Sequence, residues 1–183
     1  MAETSIIICG QAGQGIQSIG YVLAKALLRS GWYVFAWQDF QSRIRGGESS
    51  FRIVFSGRQV SSLPSKYDIF ISMDKANTDV YLSLLKEKGM AVTETETGAG
   101  FLTIPFLKTA LDVGGNKIYA NASAIGAAAA AAGLDFKLVS SVLAEEFAAK
   151  GGEISAKNVS VAEYSYKQAL FACPDCALKT PAA

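Results

Sequence analysis

The chain contains no histidine and only three cysteines in 183 residues. Without an imidazole there is no Ser–His or Cys–His nucleophile pair and no histidine general base. Cys9, Cys173 and Cys176 supply three thiolates at most, and a zinc site or iron–sulfur cluster normally takes four ligands. Charge of one sign is also missing. The formal net charge is +1 and charged residues make up 18%, so no broad field favours nucleic acid or anionic lipid, and neither is expected as a partner. There is no long apolar run. The longest, around residues 122–134, is rich in alanine and broken by Gly126 and Gly133, too short to span a bilayer. The opening MAETS has neither the basic nor the apolar region of a signal peptide, and a cytoplasmic location is the expectation. No serine stands in a nucleophile elbow.

What is present fits one domain with buried strands: half of the residues are hydrophobic. Residues 1–183 are taken as a single domain, with 4–171 as its body and 172–183 as a tail. Cys173 and Cys176 form CPDC in that tail. A thioredoxin-type pair belongs at a helix N-terminus beside a βαβ unit, which is not its setting here, so it reads as a tail pair that is reduced or adventitiously oxidised, with zinc or cluster binding shared with a partner chain as the alternative. Residues 4–9 read as a strand buried on both faces. In residues 15–29 Ile16, Ile19, Gly20, Leu23 and Leu27 share a helical stripe, ended by Ser30-Gly31. Residues 32–38 read as a second strand, parallel to the first through a right-handed crossover. Residues 51–56 alternate with period two, and Gly57-Arg58 predicts a tight turn into 59–61, giving one β-hairpin. Further strands are expected at 67–73 and 90–95, with short extended pieces at 103–105 and 117–119. Helices are expected at 77–86, 106–113, 121–132, 136–149 and 158–170. The fold class is α/β: a three-layer α/β/α domain on a mostly parallel, mixed sheet.

The stretch IIICGQAGQGIQSIG, residues 6–20, is strand, glycine loop, helix. Its glycines, Gly10, Gly13 and Gly15, are spaced G-x-x-G-x-G. That reverses the dinucleotide fingerprint, and no G-K-[ST] follows, so neither common phosphate motif is matched. Glycines that admit close backbone approach and a following helix N-terminus still suit an anion. A tight packed turn is the alternative. Asp39, ending the second strand, stands where a ribose-binding acid would stand. Downstream, QSRIRGGES contains Arg43 and Arg45, which point the same way if extended, followed by Gly46 and Gly47. Two guanidiniums suit a phosphate or carboxylate, and a solvated basic loop is the alternative. Asp68, Asp74 and Asp79 have no metal spacing and read as strand-end and helix-capping residues.

GQAGQGI, then QSRIRGGESSFRIVFS, then YDIFISMD, in this order, resemble the gamma subunit of 2-oxoacid:ferredoxin oxidoreductases. NKIYANASAIGAAAAAAGL and VLAEEFAAKGGEISAKNVSVAEYSYKQA resemble the C-terminal half of that family, with Asn121 and Asn158 where its asparagines recur. The resemblance covers about residues 4–171. It departs at Ala12, where another glycine is common, and at Ser42, and the CPDC tail lies outside it. It implies a Rossmann-like α/β unit that supports coenzyme A-dependent oxidative decarboxylation of a 2-oxoacid, 2-oxoglutarate or a generic oxoacid being favoured, with electrons passed to ferredoxin. Pyruvate, branched-chain and indolepyruvate enzymes are substrate variants. The implied partners are thiamine-binding alpha and beta subunits and a ferredoxin-like subunit or ferredoxin. Thiamine diphosphate, Mg2+ and [4Fe-4S] clusters would lie on those partners, and coenzyme A at or near this chain. The implied cofactor-binding residues are Gly10, Gly13, Gln14, Gly15, Arg43, Arg45, Gly46 and Gly47, with no catalytic and no metal-ligating residue. Two further readings stay open: a free-standing nucleotide-binding reductase with Asp39 on the ribose, and a purely structural docking subunit.

Overall fold

A computed structural model of the chain describes residues 3–40, 48–96 and 101–173. Its strands are β1 (Thr4–Gln11), β2 (Tyr33–Phe40), β3 (Glu48–Ser56), β4 (Tyr67–Ser72), β5 (Leu85–Thr93) and β6 (Phe101–Thr103). Its helices are α1 (Ile16–Arg29), α2 (Lys75–Tyr81), α3 (Phe106–Gly114), α4 (Ala120–Ala131), α5 (Phe136–Ala148) and α6 (Gly152–Ala172). Two single turns of 3-10 helix lie at Leu82–Leu84 and Lys117–Tyr119.

The six strands form one sheet in the order β2-β3-β1-β4-β5-β6. β4 pairs parallel with β1 and β5, and β6 parallel with β5. Only β3 runs the other way, antiparallel to both β1 and β2. The β1 side chains Ile6, Ile7 and Ile8 are all fully buried, so both faces of this central strand lie under cover. On one face Ile6, Ile8, Ile53, Phe55, Ile69, Ile71 and Val92 pack with residues of α1 and α3–α6. The other face is covered more thinly: Ile7, Cys9, Phe70 and Ala91 pack with Tyr81 of α2 and the leucines after it. Burying one such aliphatic side chain contributes about 1.5–3 kcal/mol.

α1 turns its apolar stripe, Ile16, Ile19, Val22, Leu23, Ala26 and Leu27, toward the sheet. Its exposed side is tied to α5, where Glu145 accepts from Lys25 (3.1 Å) and from both amino groups of Arg29 (2.9 and 2.7 Å). α4 is buried almost all round by small residues. They let α6 come so close that a Cβ on Gly126 would collide with the carbonyl oxygen of Ala162. Beside that crossing the hydroxyls of Ser123 and Ser165 share a hydrogen bond of 2.6 Å.

Several expectations are corrected. Residues 59–61 form no strand. The antiparallel partners of β3 are β2 and β1, so the hairpin is β2–β3, and β2 runs parallel to β1 without touching it. The helix expected at 77–86 stops at Tyr81, and Leu85 already begins β5. Residues 117–119 are a 3-10 turn, because the Asn116 side chain accepts the Ile118 N–H at 3.1 Å and winds the chain. α6 starts at Gly152 rather than near residue 158, with Gly151 (φ 106°) as its entry. Among the described residues no helix is long and apolar enough to cross a membrane.

Candidate functional site

β1 and β4 are neighbours whose following helices, α1 and α2, pack on opposite faces of the sheet. Such a divergence opens a crevice at the carboxyl ends of the strands, where α/β proteins bind ligands. A cleft of about 650 Å³ lies there, lined by Gly13, Gln14, Met73, Glu94, Leu107, Lys117, Ile118, Ala120 and Asn121. The lining draws on the loops after β1, β4 and β5 and on the first turns of α3 and α4.

The glycine loop is shaped from within. Gln14 folds back so that its Oε1 accepts the Gln11 N–H at 2.8 Å, while its own N–H donates to the Gln11 carbonyl at 3.0 Å. Gly10 lies beneath. A Cβ there would strike the Gln14 and Ile16 side chains and sit 3.1 Å from Cβ of Met73. Gly13 (φ 98°) and Gly15 (φ 73°) are left-handed, a conformation that other residues rarely adopt. Gly15 carries a second constraint, since Asn121 at the start of α4 occupies the space of its missing side chain.

Three helix N-termini meet this cleft and only one is capped from within it. α1 and α4 have no side-chain cap. At α3 the Leu107 N–H donates to both Glu94 oxygens, each at 3.2 Å. Burial pushes the Glu94 carboxyl above its ordinary range, an effect offset in part by the N–H groups of Leu107 and Phe106. Lys117 is exposed at the rim and forms no ion pair among the described residues. With about half a charge per helix N-terminus, Lys117 and the three ends outweigh Glu94, leaving roughly +1.5. The cleft therefore suits an anion with an apolar portion, the latter against Met73, Leu107 and Ile118.

Of the expected site residues, Gly13 and Gln14 line the cleft, Gly10 supports it from below, and Gly15 joins α1 to α4. Arg43, Arg45, Gly46 and Gly47 lie outside the described residues. The strands flanking them do not: Phe40 pairs with Ser49, Ser49 with Gly10 and Glu48 with Gln11. Phe40, Glu48 and Ser49 thus lie at the end of the sheet where the glycine loop begins. Asp39 is apart from this loop, because β3 separates β2 from β1, and its carboxylate pairs with Arg52 at 3.5 Å. Asp74 caps α2 by accepting the Asn77 N–H at 2.9 Å. Asp68 accepts from the Ser5 N–H (2.9 Å), the Ser5 hydroxyl (2.8 Å) and Lys86 (2.8 Å), a strand-end role. Cys173 closes α6, and Cys176 is outside the described residues. Glu94, Lys117, Ile118 and Met73 join the site only in the structure. The position of Glu94, directly after a buried strand, was the signal available for it.

Residues 5–168 match the family described as pyruvate ferredoxin/flavodoxin oxidoreductase. The 2-oxoglutarate synthase subunit KorC of Archaeoglobus fulgidus is 30% identical over 147 residues, 77% of each chain. A 2-oxoacid:ferredoxin oxidoreductase subunit alpha from Sulfolobus is 33% identical over 70 residues, which are 38% of this chain and 11% of that one. The ketoisovalerate oxidoreductase subunit VorA of Methanothermobacter marburgensis matches over 20% of its length. The chain thus spans a tenth to a fifth of these two longer relatives. Among solved structures, the 2-oxoglutarate:ferredoxin oxidoreductase of Magnetococcus marinus, determined with 2-oxoglutarate, coenzyme A and succinyl-CoA bound, superposes with a TM-score of 0.83 at 22% identity, over 92% of this chain and 31% of that one. The keto/oxoacid ferredoxin oxidoreductase gamma subunit of Geobacter sulfurreducens superposes with a TM-score of 0.76 at 21% identity, over 92% and 99% of the two chains. The chain belongs to the pyruvate ferredoxin/flavodoxin oxidoreductase family.

Proposed function

We propose that this chain is the subunit of a 2-oxoacid:ferredoxin oxidoreductase that holds the anionic part of coenzyme A, with 2-oxoglutarate or a generic 2-oxoacid as the substrate of the whole complex. The observation that carries this is the cleft at the ends of β1, β4 and β5, where two uncapped helix N-termini and Lys117 face one space of about 650 Å³. Coenzyme A joins phosphates to an apolar, amide-bearing arm, and the cleft offers both kinds of wall. Arg43 and Arg45 would add charge-assisted hydrogen bonds to phosphate from the segment tethered beside Gly10 and Gln11. Gly46 and Gly47 would keep that approach open.

The remaining chemistry belongs to partners. Thiamine diphosphate with Mg2+ supplies carbanion stabilisation at the 2-oxoacid carbon, and [4Fe-4S] clusters supply electron transfer. With no histidine and three cysteines in its sequence, this chain's residues do not fit a complete cluster site. Its own work is to bind, to orient and to exclude water. Thiamine-binding alpha and beta subunits and a ferredoxin-like subunit or ferredoxin are the proposed partners, in the cytoplasm.

Calorimetric titration of coenzyme A, with NADH as control, into the chain and into the chain assembled with its thiamine-binding subunits tests this. Coenzyme A binds at least in the assembly, NADH does not, and Arg43→Ala with Arg45→Ala weakens it. Absence of coenzyme A binding in both states refutes the reading. A docking subunit is the second reading, favoured by exposed apolar side chains at the cleft rim and on β2: Leu107, Ile118, Tyr33 and Trp37. It predicts that the double variant fails to assemble while no ligand binds. The reductase reading requires Asp39 beside the glycine loop, and the intervening β3 argues against it.

A further inference from the structure

The cleft does not treat its three helix N-termini alike. Those of α1 and α4 lie side by side, since Asn121 in the first turn of α4 fills the space beside Gly15 at the head of α1. Neither has a side-chain cap. Lys117 stands in the 3-10 turn that leads directly into α4, so the cation of the lining adjoins the same pair of helix ends. The third N-terminus, that of α3, is filled. Half-buried Glu94 lines the cleft and sets both carboxylate oxygens 3.2 Å from the Leu107 N–H, and the Phe106 N–H also acts on it. This cap comes from the end of β5 rather than from α3 itself. Charge is therefore divided across the cleft. Free N–H groups and Lys117 mark the α1–α4 side, and an anion marks the α3 side, where Leu107 and Leu111 are exposed.

We propose that Glu94 is a specificity-determining residue that fixes the direction in which the ligand lies. By occupying the α3 N-terminus it denies that end to phosphate. The anionic part of the ligand is confined to Gly13, Gln14, Asn121 and Lys117, and the uncharged part runs past Leu107 toward Leu111. Two physical effects act together. The Leu107 N–H already donates, so a phosphate oxygen would have to displace a bonded carboxylate. Two anions at one helix end also repel, and in a half-buried place salt screens that repulsion weakly. A bare phosphate compound has no uncharged part and would gain from all three helix ends if Glu94 were absent. A ligand with its phosphates at one end of a long amide arm loses nothing to Glu94. This rests on the coenzyme A reading and adds the polarity of the bound molecule: phosphates at the glycine loop, the thiol-bearing arm on the α3 side.

The test adds inorganic pyrophosphate to the isotope-labelled full chain and follows backbone amides by NMR. In the wild type Gly13, Gln14 and Asn121 shift and Leu107 does not. In Glu94→Ala, Leu107 joins them, and pyrophosphate binds about tenfold tighter through the freed helix end and the lost like charge. Glu94→Gln, which keeps an acceptor for the Leu107 N–H, falls between the two. In calorimetry on the chain and on its assembled complex, coenzyme A changes far less than pyrophosphate, so the preference for coenzyme A falls. Loss of a mere helix cap would not move that ratio. Thermal unfolding identifies any variant that does not fold, and the wild-type amide shifts then decide alone. A wild type in which pyrophosphate moves Leu107 as far as Gln14, or moves neither, overturns the assignment. Folded variants in which both ligands change equally overturn it too, and the coenzyme A reading survives each of these results. No binding of coenzyme A to the wild type, in chain or complex, overturns that reading and the assigned polarity with it.

Discussion

Gly126→Ala sets two effects of opposite sign against each other. Alanine is the better helix former, and at an ordinary helix interior the exchange would stabilise by about 1 kcal/mol. At this position, however, the new Cβ meets backbone, the Ala162 carbonyl of α6, and no rotamer change can relieve the contact. The helices must separate, and separation also loosens the Ser123–Ser165 hydrogen bond and the packing of Val161 and Ala162. Overpacking of a close-packed core costs about 1–3 kcal/mol, and a backbone crossing belongs at the upper end. The net is a destabilisation of about 2 kcal/mol, which for a domain of this size lowers Tm by about 4–8 °C. Gly152→Ala is the control. It lies at the first residue of α6 with nothing near its absent Cβ, so its Tm should equal or exceed that of wild type. Differential scanning calorimetry of the three proteins decides. A Gly126→Ala protein as stable as wild type would show that the α4–α6 crossing yields easily.

Gly15→Ala strains a left-handed residue and displaces Asn121 from the cleft wall. Coenzyme A affinity should fall at least tenfold, with the α/β circular dichroism spectrum retained. The pKa of Glu94 is raised in the folded state, so the native protein binds that proton more tightly than the unfolded chain. Its unfavourable contribution appears as pH rises through the carboxylate range and is fully present at neutral pH. Glu94→Gln, which keeps an acceptor for the Leu107 N–H, should be at least as stable as wild type at pH 7, should lose that advantage near pH 4, and should bind anions more tightly; denaturant titrations at both pH values check this. Arg29 and Lys25 pull the Glu145 carboxyl down to about 2 from its ordinary 4.5. The α1–α5 tie is therefore present above pH 4.5 and is lost as pH falls through about 2. In NMR titration the Glu145 side chain should show that low midpoint, and 1 M salt should raise it.

Local signals in the sequence locate β1, α1 and α3–α5 to within a few residues, because glycine turns and apolar stripes mark them. Partnership was less legible. The alternation of residues 51–56 reports a half-buried strand and says nothing of its neighbours, so a nearby Gly57-Arg58 turn suggested the wrong hairpin. Leu82, Leu84 and Leu85 continue a plausible helical stripe, yet they cover the thin face of the sheet and start β5. Gly151-Gly152 reads equally as a stop and as an entry, and the positive φ of Gly151 makes it an entry to α6. In the site, Gly13 and Gln14 were visible from the loop itself. Asn121 against Gly15, and Glu94 across from Lys117, depend on chain crossings that no local spacing encodes.

The reversal of β3 has a consequence for how chain length is used. Because β3 is antiparallel to β2 and next to it, Phe40 and Ser49 are paired residues, held about one inter-strand spacing apart. Two residues suffice to turn the chain between such strands. The sequence instead spends residues 41–48 on this step, a length that closure does not require, and within it stand Arg43 and Arg45. The sheet thus holds Phe40 and Ser49 in register at the strand end that carries Gly10 and Gln11, and shortening the connection between them should leave every strand pairing in place.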